Sequence, residues 1–201
     1  MNLTTRVDLV RHGHHALLNR VLCGRMPGVG LDDLGRAQME TCAAEVNRSR
    51  ATVIQSSPQP RALQSAAIIG RACGLPVEVV AAVDEIDVGA WTGLTFDRLA
   101  KDHRWRTWNE RRGQTRPPQG ESAHELQRRM IRHLETIRQR PPHTTIVIVS
   151  HAEPIRVTLM HYLKLALDDY AQVEVSPASL STLLIDGSRT LVTRINGMAV
   201  P

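Results

Sequence analysis

Cysteine, aromatic residues and lysine are scarce in this chain of 201 residues. The first two scarcities each argue against a class of protein, and the third concerns the source of the positive charge. Three cysteines occur, Cys23, Cys42 and Cys73. Their number is odd and no two form a Cys-x-x-Cys pair, so neither a disulfide framework nor a structural zinc site is expected. Aromatic residues make up only 3% of the chain, too few to favour a base-stacking platform. Lys101 and Lys164 are the only lysines, so arginine carries almost all of the positive charge.

Long apolar runs are also missing. No stretch approaches the roughly 18 unbroken apolar residues of a membrane span, and the first residues enter a strand pattern without a secretory segment. These absences predict a cytoplasmic protein with no membrane partner. The net charge of +5 fits either nucleic acid or an anionic small molecule. Because aromatic residues are few, we predict no nucleic-acid partner and a local anion site instead.

Apolar runs alternate with helical patterns, which is typical of a mainly parallel sheet covered on both faces. Strands are predicted over residues 7–10, 52–56, 77–80 and 144–149. Helices are predicted over residues 31–47, 58–73, 121–140 and 153–165, with at least one more within 95–112. The segments that predict an antiparallel edge are 172–175, 180–185 and 191–195. The expected fold is a three-layer α/β/α sandwich that forms a single domain over residues 1–201, as a monomer or homodimer.

Two of the predicted strands end in a histidine. The run from Val7 to Val10 leads into Arg11-His12-Gly13, and the run from Thr144 to Val149 leads into Ser150-His151. In open α/β sheets, ligands bind at the carboxyl ends of the strands. The sequence therefore predicts a site built around two imidazoles.

Other charged residues follow the neighbouring strands. Arg61 falls in the first turn of a helix expected to begin at Ser57-Pro58, and the amides of a helix start favour an anion. Glu85 follows the third strand. One rim would therefore collect Arg11, His12, Arg61, Glu85 and His151. Arginines and imidazoles suit phosphate oxygens, a neutral imidazole is a competent nucleophile, and a carboxyl group can protonate a departing alkoxide.

Several short motifs occur in a fixed order between residue 7 and about residue 195. They are Leu9-Val10-Arg11-His12-Gly13, Leu31-Asp32-Asp33-Leu34-Gly35-Arg36-Ala37-Gln38, Ser56-Ser57-Pro58-Gln59-Pro60-Arg61-Ala62, Glu85 with Gly89 and Gly93, Gly120-Glu121-Ser122, and Val149-Ser150-His151-Ala152-Glu153-Pro154-Ile155-Arg156. In this order they resemble the motifs of the histidine phosphatase superfamily, the phosphoglycerate-mutase-like enzymes.

The resemblance implies a role for each residue. His12 would attack phosphorus and become phosphohistidine, while Arg11, Arg61 and His151 would hold the phosphoryl oxygens. Glu85 would protonate the leaving group and then help to activate water. The expected activity is that of a metal-independent phosphatase of the histidine acid phosphatase type, without a cofactor, acting on a small phosphorylated metabolite. The further phosphate-binding residues are expected to be Asn19, Gly24 and Ala152, and residues 81–122 are expected to form a substrate cap.

The chain departs from the family pattern at two places. His14 and His15 come soon after the nucleophile, and whether one of them faces the pocket or both are surface histidines stays open. Glu153 stands where the family usually has glycine. Its carboxylate would either restrict the anions that are accepted or point to solvent.

Three other functions stay open at this stage. The first is a mutase that returns the phosphoryl group to its substrate, although a compact chain favours hydrolysis. The second is a metal-dependent hydrolase that uses His12 and His14 as a His-x-His ligand pair. The third is a non-catalytic relative that binds phosphorylated ligands. Within the site, Asp84 and Asp87 compete with Glu85 for the role of the acid.

Overall fold

The computed structural model describes residues 4–199 and is built on a six-stranded sheet. The strands are β1 (Thr4–Arg11), β2 (Val53–Ser56), β3 (Val77–Val79), β4 (Thr145–Ser150), β5 (Leu180–Asp186) and β6 (Arg189–Gly197). The α-helices of this part are α1 (Asp33–Arg48), α2 (Pro60–Cys73), α3 (Phe96–Leu99), α4 (His103–Glu110), α5 (Ala123–Arg138) and α6 (Ala152–Leu163). None of the helices between residues 4 and 199 is long and apolar enough to cross a membrane.

The sheet places the two histidine-bearing strands side by side. Its strand order is β3-β2-β4-β1-β5-β6, in which β3, β2, β4 and β1 run parallel while β5 is antiparallel to β1 and to β6. Arg11 at the end of β1 lies opposite Ser150 at the end of β4. The amide of His12 donates to the Ser150 carbonyl at 3.0 Å, so His12 and His151 leave the sheet together. The predicted parallel sheet with an antiparallel edge is confirmed.

Alternate residues of β1 face opposite layers. Val7 and Leu9 belong to the same apolar cluster as Met130 of α5, whereas Val10 belongs to the cluster that includes Met39 of α1. Each buried aliphatic side chain of this kind stabilises the fold by about 1.5–3 kcal/mol. The three-layer α/β/α arrangement is therefore confirmed, and the site lies at the edge of a well-packed sheet.

Helix α2 begins at Pro60 with Gln59 as its cap residue, so the prediction of a start at Ser57-Pro58 is wrong. The reason is that a residue before proline is restricted to extended backbone, and Gln59 has φ −69° and ψ 139°. The Ser57 side chain is thereby free for another bond, described below.

The prediction of a strand over residues 172–175 is also wrong, because the 3-10 helix Leu167–Gln172 leads into an irregular segment there. Two carbonyl groups of the segment accept hydrogen bonds from arginine side chains. Val173 accepts from Arg156 Nε at 2.9 Å and Val175 accepts from Arg11 Nη1 at 2.6 Å. These carbonyls face the site instead of a neighbouring strand.

The helical region within 95–112 contains the two helices α3 and α4. Asp102 separates them, since its carboxylate accepts from the Arg104 amide at 2.9 Å and so caps the second helix.

Candidate active site

A cavity of about 360 Å³ opens at the carboxyl end of β1. The side chains predicted to converge there do so. Arg11, His12, Arg61 and Glu85 line the cavity. His151 lies behind them, with its ring centroid 5.0 Å from that of His12.

The imidazole of His12 is held in one orientation. It is only 3% exposed, and its Nδ1 lies 2.8 Å from the Gly13 carbonyl oxygen. A carbonyl can only accept, so Nδ1 carries the proton and Nε2 keeps its lone pair. Arg61 Nε donates to that lone pair at 3.3 Å. Burial, together with the charges of Arg61 and Arg11, holds the pKa of His12 well below 6.5. The ring is therefore neutral at pH 7 and has a nucleophilic nitrogen.

Two buried guanidinium groups flank this nitrogen and keep donors to spare. Arg61 Nη2 donates to the Gly24 carbonyl at 2.7 Å. Within residues 4–199, however, Arg61 Nη1 and Arg11 Nε are buried without a hydrogen-bond partner. Burial lowers the pKa of Arg11 to about 10 and lowers that of Arg61, which leaves both charged at neutral pH. Because unpaired buried donors are costly, the cavity favours an oxyanion.

The second imidazole belongs to a chain of hydrogen bonds. Ser57 Oγ donates to Asp84 Oδ1 at 3.0 Å, so the His151 Nε2–H group must donate to Ser57 Oγ, 2.7 Å away. His151 Nδ1 lies 3.9 Å from Glu85 Oε2. Burial, then the charge of Arg61, holds the pKa of His151 well below 6.5. An anion bound beside Nδ1 would favour the protonated ring, which could then donate to it.

Glu85 has the most perturbed carboxyl group of the cavity. Its Oε1 accepts from the Ile86 amide at 2.9 Å. Burial raises the pKa of Glu85 to about 7, against the opposing charge of Arg61. Glu85 therefore keeps its proton to a much higher pH than an ordinary glutamate, as an acid catalyst near neutral pH requires. The competitor Asp84 is bonded to Ser57 and Gln59, and Asp87 accepts from the Gly89 amide.

The remaining predicted binding residues, Asn19, Gly24 and Ala152, also line the cavity. Gly24 has φ +48°, and a Cβ there would lie 2.6 Å from Val88 Cγ2. Only glycine therefore fits at this position, where the backbone carbonyl holds Arg61.

Of the two extra histidines, His15 faces the cavity and His14 does not. His15 lines the cavity, with its ring centroid 5.4 Å from that of His12. His14 Nδ1 lies 2.6 Å from Asp32 Oδ2 at the start of α1. Between residues 4 and 199, no three His, Cys, Asp or Glu side chains form a group that could hold a metal ion. The placement of His14 gives no support to a His12/His14 ligand pair.

The cavity also contains a cluster of charged residues whose pairing sequence reasoning missed. Arg112 and Arg156 both bond to the carboxylate of Glu153, and all three line the cavity. The Arg112 guanidinium lies between two aromatic rings, 3.8 Å from the Trp108 centroid and 3.7 Å from that of Tyr170. The spacing of Glu153 and Arg156, one helical turn apart, could have indicated their pairing. No sequence signal links either residue to Arg112.

This chain is similar to several known proteins. Phosphoserine phosphatase 1 of Hydrogenobacter thermophilus is 29% identical over 95% of this chain and 92% of its own length. The bifunctional protein Rv2228c of Mycobacterium tuberculosis is 31% identical over 93% of this chain, which spans about half (52%) of that relative. The solved structure of mycobacterial glucosyl-3-phosphoglycerate phosphatase Rv2419c with VO3 superimposes with a TM-score of 0.80, at 27% identity and over 96% of this chain and 98% of that one.

A family model covers nearly all of the described residues. The model of the histidine phosphatase superfamily (branch 1) matches residues 7–197, a span that begins before Arg11-His12 and ends after His151. The motif order, the paired strands and this match agree with one another, and the chain belongs to the histidine phosphatase superfamily.

Proposed function

We propose that this protein hydrolyses phosphomonoesters of small metabolites through a phosphohistidine at His12, without a metal ion. The observation that carries the proposal is the state of His12. Its ring is buried and neutral, Nδ1–H is fixed on the Gly13 carbonyl, and the Nε2 lone pair lies beside the Arg61 guanidinium. An uncharged nitrogen next to a fixed positive charge can attack the phosphorus of an anionic ester.

In the first half of the reaction, the lone pair of His12 Nε2 forms a bond to phosphorus as the bond to the ester oxygen breaks. Protonated Glu85 gives its proton to that oxygen, so an alcohol departs. The unpaired donors Arg11 Nε and Arg61 Nη1 bind the equatorial oxygens, whose charge they stabilise.

In the second half, water attacks the phosphohistidine. Glu85, now ionised, accepts a proton from the water as its oxygen bonds to phosphorus, and the bond from phosphorus to His12 Nε2 breaks. Phosphate leaves and Glu85 is again protonated. A pKa of about 7 lets one carboxyl group perform both proton transfers near neutral pH.

Residues 81–122 act in this proposal as the substrate cap of a single domain. Phe96, Trp105 and Trp108 give the cavity an aromatic wall, and Asn109 adds a polar group to it. The three indole rings of Trp91, Trp105 and Trp108 pack with centroids 5.3–5.8 Å apart, which makes the wall rigid.

The test is phosphate release from p-nitrophenyl phosphate and from an alkyl phosphate by the wild-type protein and by His12→Ala, with and without a chelator. We expect wild-type turnover to survive the chelator and His12→Ala to be inactive. His103→Ala is the matched control, because that histidine has an 80% exposed side chain and does not line the cavity. An acid-labile phosphoenzyme should form in the wild type and in the control.

Near wild-type activity of His12→Ala would show that another group attacks phosphorus. Loss of activity with the chelator, restored by a divalent metal, would support a metal-dependent hydrolase. With glycerol 3-phosphate as the alkyl phosphate, formation of the 2-phosphate isomer without release of phosphate would indicate a mutase.

A further inference from the structure

The carboxylate of Glu153 bridges two arginines in the lining of the cavity. One oxygen, Oε2, accepts from Arg112 Nη1 and the other, Oε1, accepts from Arg156 Nη1. A substrate carboxylate held by two arginines would make the same pair of contacts, one oxygen to each guanidinium. The Glu153 carboxylate thus occupies the position between the two arginines that a ligand carboxylate would otherwise take.

The remaining bonds of the two arginines hold the arrangement in place. Arg112 Nη2 donates to Asn109 Oδ1 at 3.0 Å, and Arg156 Nε donates to the Val173 carbonyl. The rings of Trp108 and Tyr170 enclose the Arg112 guanidinium. Neither arginine can turn toward a ligand without losing such a contact.

Glu153 is charged in this setting. Burial opposes its ionisation, but the charges of Arg112 and Arg156 outweigh burial and hold the pKa of Glu153 below its ordinary value. A second carboxylate entering beside this cluster would find both guanidinium groups already bonded to Glu153, and within residues 4–199 Arg112 Nε is their buried donor without a partner. A hydroxyl group could instead donate a hydrogen bond to a Glu153 oxygen, since each carboxylate oxygen accepts more than one bond.

We propose that Glu153 is a specificity-determining residue that selects phosphomonoesters whose distal end is an uncharged hydroxyl group and rejects those whose distal end is a carboxylate. The proposal rests on the phosphatase function above and concerns the lining of the same site. Glu153 does not touch the phosphoryl group in this account. It determines which non-phosphate part of a substrate can bind beside Arg112 and Arg156.

The experiment compares two substrates that differ only at the distal carbon, glycerol 3-phosphate with a hydroxymethyl group and 3-phosphoglycerate with a carboxylate. The readout is the ratio of their kcat/KM values. The wild type should favour glycerol 3-phosphate at least tenfold, equivalent to about 1.4 kcal/mol. Glu153→Gln keeps the shape and removes the charge, so the ratio should move at least tenfold toward 3-phosphoglycerate. Most of that change should lie in KM.

Two further variants separate specificity from stability. Glu153→Asp keeps the charge and should keep the wild-type direction of preference. Glu45→Gln removes a carboxylate that pairs with Arg194 outside the cavity, so it should leave the ratio unchanged. If Glu153→Gln does not fold, the ratios of kcat/KM measured for wild type and for Glu153→Asp still test the proposal. A wild type that prefers 3-phosphoglycerate, or a Glu153→Gln ratio within twofold of wild type, would overturn the proposal.

Hydrolysis of p-nitrophenyl phosphate, which has neither distal group, reports the underlying function separately. If the wild-type protein does not hydrolyse p-nitrophenyl phosphate, the phosphatase function is refuted. Retention of this hydrolysis with an unchanged substrate ratio would refute only the role of Glu153.

Discussion

Replacing Glu85 by glutamine tests the proposed acid directly, because the amide keeps the size of the side chain and cannot give up a proton. An alkoxide leaves with difficulty unless it is protonated, whereas p-nitrophenolate leaves without help. Glu85→Gln should therefore slow hydrolysis of an alkyl phosphate far more than hydrolysis of p-nitrophenyl phosphate.

The expected size follows from the role assigned to the carboxyl group. General acid catalysis typically contributes about 10²–10⁴ to a rate, so we expect a loss in this range for the alkyl ester and a loss below about tenfold for the aryl ester. The pH profile should change as well. With a pKa of about 7, Glu85 loses its proton as the pH rises through neutrality, and wild-type activity on the alkyl ester should fall there.

The assay is kcat/KM between pH 5 and pH 9 for both substrates, with wild type and Glu85→Gln measured in parallel. The alkaline decline on the alkyl ester should be absent from the variant. Equal losses on the two substrates, with the alkaline decline retained, would refute the assignment and transfer the acid role to another group, of which His15 lines the cavity while His14, Asp84 and Asp87 are bonded elsewhere.

Two further predictions follow from the same geometry. Arg61→Ala should weaken inhibition by vanadate and phosphate about 10- to 100-fold, measured as the inhibition constant, because it removes a charged donor worth about 1.5–3 kcal/mol from the anion site; unchanged inhibition would place the anion elsewhere. Glu85→Gln should be more stable than wild type at pH 8 but not at pH 5, measured by urea unfolding. A carboxyl group whose pKa rises from 4.5 to about 7 on folding loses up to about 3 kcal/mol of stability as the pH rises through this range, so an equal difference at both pH values would contradict the raised pKa.

The strand ends were predictable because an apolar run stops where the backbone leaves the sheet. The runs before His12 and His151 were therefore visible in the sequence. Their adjacency was not, since nothing in either run specifies that β4 pairs with β1. The expectation of a shared site rested on the rule that ligands bind at the carboxyl ends of the strands in open α/β sheets, and the resemblance to a family supported it.

Contacts between distant side chains could not be predicted from local pattern. The bond from Ser57 to Asp84 joins residues 27 positions apart. The contact of Arg112 with Glu153 spans 41 positions. In residues 172–175, the alternation of apolar side chains resembled a strand, but arginine side chains took the carbonyl groups that a strand would need.

In the proposed mechanism His12 must be unprotonated while Glu85 must be protonated, and burial favours both states. Burial disfavours the charged form of each group, so it lowers the pKa of His12 and raises that of Glu85. The charge of Arg61 lowers both pKa values, which assists the imidazole and opposes the acid. Arg61→Gln should consequently move the acid limb and the alkaline limb of the alkyl-ester profile to higher pH together.

The acid limb also contains the second ionisation of the substrate phosphate. Because that ionisation is the same for wild type and Arg61→Gln, the difference between the two profiles isolates the effect of Arg61. The residual activity of the variant should show a later alkaline decline, since Glu85 would keep its proton to higher pH. Its acid limb should also begin at higher pH, since His12 would be protonated more readily. Limbs that move in opposite directions, or only one that moves, would show that Arg61 does not act on both groups through its charge.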